Sequence, residues 1–498
     1  MYRSRAGWMA LCLLAAIAVF LTACGGAPSL DAGLRAIIAD QELTGDPSQG
    51  RDLPGIDDPL AQLGKSLFFT KALGGDKDAA CASCHHPLLG GGDRLAVSIG
   101  VGANAPDLLG PGRVHSSGVP NVPRNAPTTL NCAMWDQVMF HDGRLESLDK
   151  SPGRNGAGVS GIRTPDVPNG LPDPQAGANL TTAQARFPLV SPAEMLGYTY
   201  SAHKPHRVVR NHLSARLGDY GIGQGDLASS AWLAEFERAF GSKARVEELV
   251  TEQNIAAALG AYERSQVFVN TPWKAYVQGD DQAIGQSAKR GALLFFRDPD
   301  QGGAGCASCH SGDFFTDESF YTLAVPQVGP GKHDDPYADS PQVNDDDFGR
   351  WYATFKEEDR YAFRTPTLLN VEVTGPYGHD GAYATLEGIV RHHLDPAEAV
   401  RQYDFSQLDA SVQTQRTAEY TAKALAKLQE DRQQERTTLQ DVKLTDRQVQ
   451  DLVAFLLTLT DPCVKDPACL APWFPVPGET DPDGLRLIAR FAAGKATP

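Results

Sequence analysis

The chain of 498 residues is poor in methionine, with five in all, at positions 1, 9, 134, 139 and 195. None lies beyond Met195, so a metal or cofactor held by the second half has no thioether available from it. Long hydrophobic runs are missing too. The apolar stretch Ala10 to Leu21 covers twelve residues, short of the roughly 20 that a spanning helix needs. Basic residues are the minority charge, 45 Lys+Arg against 61 Asp+Glu for a net −16. That excludes the clustered positive field on which nucleic-acid binding depends, and leaves room for a basic protein partner. Strand-like alternation is scarce. What is abundant is Gly (49) and Pro (34), which predicts long irregular stretches. A hydrophobic share of 42% with 21% charged residues is that of a folded rather than a disordered protein. The length allows two or three domains with sizeable cores.

Residues 1–23 read as a signal peptide, with Arg3 and Arg5 ahead of the short apolar stretch. It ends Leu21-Thr22-Ala23-Cys24-Gly25, which resembles the bacterial lipobox; Cys24 would then be acylated and hold the mature chain at a membrane surface. Gly25, where Asp would signal inner-membrane retention, points to a periplasmic protein anchored to the outer membrane. The alternative is a plain signal peptide with a coincidental cysteine. Removing this segment takes away two arginines and no acid, so the net charge deepens from −16 to −18.

Apolar periodicity predicts helices at Leu60–Phe69, Trp232–Leu249, Gln253–Tyr276, Ala283–Phe296 and Asp446–Leu459. Thr414–Leu439 reads as a charged, exposed helix, and residues 151–179 as a long loop. The expected fold class is all-α with long loops, in two related domains. Residues 24–54 are expected to form a lipid-anchored linker, 55–280 the N-terminal domain and 281–498 the C-terminal domain. An internal duplication underlies that division. Cys-Ala-Ser-Cys-His occurs at 81–85 and at 306–310, each followed by a Pro-Thr segment and then His-Asp-Gly, at 141–143 and 379–381.

Cys-x-x-Cys-His is the attachment signature of haem c. The thiols of Cys81 and Cys84, and of Cys306 and Cys309, would bond the porphyrin, with His85 and His310 as proximal ligands to iron. A zinc site would call for two further ligands at short spacing, and a redox Cys-x-x-Cys explains neither the trailing His nor the duplication. The sixth ligand decides function, because an open iron activates an oxidant while a closed one shuttles electrons. His392 and His393, on a predicted helix, are the neighbouring candidates for the second site.

These motifs resemble the bacterial di-haem cytochrome c peroxidases and their MauG-like relatives. The resemblance rests on Cys81–His85, Pro123-Arg124-Asn125-Ala126-Pro127-Thr128, Phe140-His141-Asp142-Gly143-Arg144, Ser191-Pro192-Ala193-Glu194-Met195, Cys306–His310, Phe363–Asn370 and Pro376–Gly381. It implies two cytochrome c-like domains with one covalent haem c group in each, peroxide reacting at the first and electrons passing through the second. It further implies Glu194 as the acid/base over the first iron, Gln184 as a pocket hydrogen-bonder, and His393 as the second haem's ligand. Asn125, Thr374 and Pro376 match a calcium site, and family analogy implies a homodimer. Three departures from the family stand out. His393 stands where relatives carry Met or Tyr, Val101 replaces a switchable distal His, for which His115 is the candidate substitute, and His141 replaces a relay Trp, for which Trp135 is the candidate. Cys463 and Cys469 suit a disulfide in an oxidising compartment, and Cys132 is left as a buried thiol. His203, His206 and His212 lie at helical spacing, but a solvated basic face explains them better than a ligand set.

The expected activity is reduction of hydrogen peroxide with electrons from a small donor, a cytochrome c or cupredoxin. The alternatives are MauG-like oxidation of residues on a protein partner and a non-catalytic di-haem electron carrier.

Overall fold

In the computed structural model, which describes residues 29–198, 204–332, 345–476 and 478–492, two helix pairs, each closed by a glycine, organise the chain. The Pro59–Phe69 helix, started by Pro59 in its first turn, crosses the Glu252–Arg264 helix, which Thr251 caps. A Cβ at Gly64 would lie 1.9 Å from the Ala258 carbonyl oxygen, so only glycine lets the backbones approach this closely. In the second half the Gln286–Phe296 helix crosses Asp446–Leu457, which begins with a Thr445–Gln448 capping box. There a Cβ at Gly291 would lie 1.8 Å from the Asp451 carbonyl oxygen. The two glycines head matching segments, Gly64-Lys65-Ser66-Leu67-Phe68-Phe69 and Gly291-Ala292-Leu293-Leu294-Phe295-Phe296. The duplication therefore begins upstream of the cysteine motifs.

Each pair sits in its own core. Leu67, Phe68, Trp232, Phe236, Leu259 and Tyr262 fill the first, and Trp273, Phe295, Phe296, Phe315 and Phe455 the second. The chain ends cross over. The Leu30–Asp40 helix, capped by Ser29, buries Leu34 and Ile38 in the second core, so residues 24–54 are not simply a linker. The C-terminal tail buries Leu487 in the first core, and Arg490–Phe491 pairs in parallel with Leu108–Leu109. Packing thus departs from a division at residue 280: Trp273 belongs with the second core and the tail with the first.

The fold is helix-rich but not purely α. Besides the Leu108–Leu109 pair, Val138–Met139, Leu145–Ser147 and Ile162–Arg163 form an antiparallel sheet, and Phe320–Thr322 pairs with Ala362–Arg364. Strands of two or three residues are too short to show alternation in the sequence, and Ile162–Arg163 lies inside the segment read as loop. The expected Trp232–Leu249 helix is two, Trp232–Phe240 and Val246–Leu249, broken at Gly241 with φ 59°. The expected Gln253–Tyr276 helix is also two, because Pro272 cannot continue an earlier ladder and instead starts Pro272–Val277. Thr417–Gln433 is not a fully exposed helix: it buries Tyr420, Ala424 and Leu428, and the last two pack in the cluster holding Phe348 and Tyr361. Spacing of four residues between those three was hidden among the charges.

Candidate functional site

Cys81–Ser83 forms one tight 3-10 turn, closed by the Cys84 N–H donating to the Cys81 carbonyl at 3.2 Å, and the His85 N–H donates to the same carbonyl at 3.0 Å. Cys81, Cys84 and His85 all line a cavity of about 390 Å³. Both thiols are free, and burial pushes them well above the ordinary thiol range. The His85 Nδ1–H donates to the Gly91 carbonyl at 3.2 Å, which leaves Nε2 as the ring nitrogen for a metal. Gly91 can present that carbonyl because it has φ 73° and because a Cβ there would meet Thr128 Oγ1 at 2.8 Å.

Residues 184–198 contribute another part of the lining. A single π-helical turn, Pro192–Leu196, brings Glu194 half-buried to the cavity, and Gln184 ends the short Leu180–Gln184 helix at the same wall. Neither Val101 nor His115 is on the cavity wall. His115 bonds the Ser117 hydroxyl at 2.6 Å and packs so closely on Gly102 that a Cβ there would lie 2.7 Å from its Nε2. It does not take the place of the missing distal His. His206 does line the cavity, held by Asp166 at 2.7 Å, while His212 is held by Asp226 at 2.8 Å. Separate carboxylates thus pull these two apart; His203, like Cys24, lies outside the described residues.

Arg124, Arg144, Lys332 and Arg364 complete the cavity wall. The first three converge on Asp142, which has no exposed surface, at 2.7, 3.0 and 3.0 Å. Burial pushes the Asp142 carboxyl up, but the three cations outweigh it and hold it well below the ordinary range. Arg124 also bonds Asp347 at 2.6 Å. Burial, with Arg124 beside it, brings the Lys332 ammonium down to about 8. A porphyrin needs two thiols, an imidazole, an apolar slot and cations for its propionates, and the residues present fit that set. Arg124 and Arg144 lie within the recognised motifs, but nothing in the sequence marked Lys332.

The second motif repeats the turn at Cys306–Ser308, and the His310 Nδ1–H donates to the Phe315 carbonyl at 3.1 Å. His393, on the Leu386–Leu394 helix capped by Thr385, donates its Nδ1–H to the Ile389 carbonyl at 2.8 Å. The two rings face each other with centroids 6.2 Å apart. An imidazole nitrogen binds a metal at about 2 Å, so two coaxial rings on one metal have centroids roughly 6.4 Å apart. His393 therefore fits an axial ligand. His392 does not, because Tyr383 and Leu323 occupy both its nitrogens. Burial brings His310 down to about 4, with His393 adding to the effect.

Trp135 lines the first cavity and meets Phe314, beside the second motif, edge-on at 4.9 Å. The Arg364 guanidinium lies 3.4 Å over its ring. His141 also lines the cavity; burial, then Arg124 and Arg364, brings it down to about 3, and it donates from Nε2 to the Asn125 carbonyl. The Asn125 amide nitrogen is bonded to the Leu95 and Ala96 carbonyls, which leaves Oδ1 as the side-chain atom able to meet a cation. Cys132 is a buried thiol on the same cavity, and Cys463–Cys469 is a disulfide. Glu263, which sequence reading missed, is buried on the wall near Cys81, and burial alone pushes its carboxyl up to about 8. Its position next to Tyr262 in an apolar helix was the available signal.

Residues 58–282 match the family model described as di-haem cytochrome c peroxidase. The methylamine utilization protein MauG of Methylorubrum extorquens is 29% identical over 398 residues, covering 77% of this chain and 85% of that protein. Cytochrome c551 peroxidase of Nitrosomonas europaea is 29% identical over 331 residues, covering 66% and 71%. Among solved structures, the diheme peroxidase BthA from Burkholderia thailandensis shares the fold at a TM-score of 0.51 and 23% identity, covering 89% of this chain and 92% of that one.

Proposed function

We propose that this chain, similar to the di-haem cytochrome c peroxidases and MauG proteins, is an oxidoreductase of that type that reduces hydrogen peroxide to water at the Cys81–Cys84–His85 site. The observation that carries the reading is the asymmetry of the two sites. His310 is faced by a second imidazole at bonding distance for a shared metal, whereas among the described residues no imidazole faces His85 in that way. Instead His85 shares a cavity with a carboxyl and an amide.

Haem c bound at each motif would supply the iron and the redox equivalents. The chain's own side chains handle position and protons. Nδ1 bonds to carbonyls hold His85 and His310 in one orientation each. Reduction of one peroxide to two waters takes two electrons and two protons. Glu194 takes a proton from the nearer peroxide oxygen and returns it to the departing one, a role worth about 10²- to 10⁴-fold in rate. Gln184 orients the oxidant by hydrogen bonding. Trp135, reaching from the first cavity to Phe314, supports an electron relay between the sites, with His141 beside it.

The acidic chain favours a small basic donor, a cytochrome c before a cupredoxin. The Cys463–Cys469 disulfide supports an oxidising compartment, in keeping with export and lipidation at Cys24 to the outer membrane. Asn125, Thr374 and Pro376 remain the proposed calcium ligands, and a homodimer the proposed assembly. MauG-like oxidation of a protein partner is the second reading, favoured by the lack of any Met beyond Met195 and by His141 in place of the relay Trp. The non-catalytic carrier requires both irons closed, which the lack of an imidazole facing His85 among the described residues opposes.

Peroxide consumption by the holoprotein with a reduced basic cytochrome c as donor tests the first reading. Steady turnover supports it. A protein that consumes peroxide only when offered a protein substrate supports the second. A ferric spectrum without any high-spin haem, before and after partial reduction, overturns both.

A further inference from the structure

The Leu386–Leu394 helix sends its adjacent histidines to different neighbours. His393 faces His310. His392 has no exposed surface and is hydrogen-bonded at both ring nitrogens. Its Nε2 lies 2.8 Å from the Leu323 carbonyl oxygen. A carbonyl only accepts, so Nε2 carries the hydrogen, and in the neutral ring Nδ1 is the bare acceptor. The Tyr383 hydroxyl donates to that Nδ1 at 2.7 Å. Tyr383 is itself 5% exposed, with its ring 5.1 Å from that of His392. The result is a dry, one-directional chain from phenol to imidazole to carbonyl, one residue from the ring that faces His310.

A phenol that loses an electron becomes a strong acid, so it gives up the electron readily only where a base already accepts its hydrogen bond. His392 is such a base. The surroundings of the ring agree. Among the described residues no Lys or Arg stacks on Tyr383 or on Tyr403, whereas Arg364 lies 3.4 Å over Trp135, where its charge opposes loss of an electron. Tyr403 meets Tyr383 edge-on at 5.4 Å and is the next oxidisable ring outward. Beyond it, at 4.9 Å, Phe405 reaches the surface at 46% exposure.

We propose that Tyr383 is a redox-active tyrosine of the second site, a reading that rests on peroxide being the oxidant. Hydrogen peroxide takes up two electrons and two protons to give two waters. When no external donor is present, the two haem sites would each give up one of the two electrons and solvent would supply the two protons, and Tyr383 then returns one electron to the His310/His393 site while the first site stays one electron short. Its O–H bond breaks, an N–H bond forms at His392 Nδ1, and a neutral phenoxyl radical remains. A donor added afterwards replaces the electron lost from Tyr383, with Tyr403 on the route.

Freeze-quench EPR of the holoprotein mixed with hydrogen peroxide and no donor reads this directly. The expected result is an organic radical signal that narrows when the protein contains ring-deuterated tyrosine and falls at least tenfold in Tyr383→Phe. That variant keeps the ring and its packing, and the low-spin signal of the second haem reports whether the site is intact. A radical of unchanged yield in Tyr383→Phe, or peroxide consumed with no tyrosine radical, overturns the inference. If peroxide is not consumed, the proposed function fails instead. The same sample oxidised by photogenerated ruthenium(III) tris-bipyridine then decides the tyrosine by the same comparison.

Discussion

The imidazoles of His310 and His393 lie with ring centroids 6.2 Å apart, each tied by Nδ1 to a backbone carbonyl, which leaves Nε2 of each for a metal. In the proposed function these two nitrogens would hold the second haem. Nitrogen in place of thioether sulfur lowers the reduction potential. Potentiometry of His393→Met is therefore expected to show the second haem raised while the first is unmoved. An unchanged potential would remove His393 as the ligand, and His392, tied at both nitrogens, would not replace it.

Glu194 and Gln184 share the cavity with His85 and differ in what they can do, since a carboxyl can pass a proton and an amide cannot. Glu194→Gln is expected to lower kcat/KM for peroxide by about 10²- to 10⁴-fold with both haem absorption spectra retained. Gln184→Ala is expected to cost less, mainly through KM. Equal losses in the two variants would mean that Glu194 positions the oxidant without moving its proton.

Glu263 gives a pH dependence whose sign follows from burial. Its carboxyl is pushed up from 4.5 to about 8 in the folded chain, so the native state holds this proton more tightly than the unfolded state. The stability it confers is fully present below pH 4.5, falls as pH rises through the window up to about 8, and is level above it. Denaturant midpoints measured at pH 5 and pH 8.5 are expected to fall less in Glu263→Gln than in the parent protein. Parallel falls would show that the carboxyl has a charged partner.

Arg124 bridges Asp142 and Asp347 with almost no solvent access. Burial raises the Asp347 carboxyl, but Arg124 outweighs it and holds it well below the ordinary range. Removing one member of such a group leaves a buried charge underpaired, at a cost of about 3–5 kcal/mol. Urea unfolding of Asp347→Asn is expected to show a loss of that size, and a change under about 1 kcal/mol would mean that water reaches Arg124.

Local chemistry was legible from residue order because it depends on neighbours in sequence. The two Cys-Ala-Ser-Cys-His turns, the trailing proximal histidines, the lack of methionine beyond Met195 and the Cys463–Cys469 pairing all lie within a few residues of their signals. So did the helices that open each half at Pro59–Phe69 and Gln286–Phe296. The short strands, the break at Gly241 and the buried face of Thr417–Gln433 were not legible, because each depends on what packs opposite.

Residue types and their order by themselves determined a duplicated, acidic, haem-attaching chain. Only the tertiary structure sets His393 beside His310 and ties His392 to Tyr383 and Leu323, since adjacent positions on a helix point about 100° apart. It also removed His115 from the first site, gathered Arg124, Arg144 and Lys332 around Asp142, and folded each chain end onto the opposite core. Those outcomes depend on contacts between residues far apart in the chain, and a buried charge or ring is recognisable only once its partners surround it.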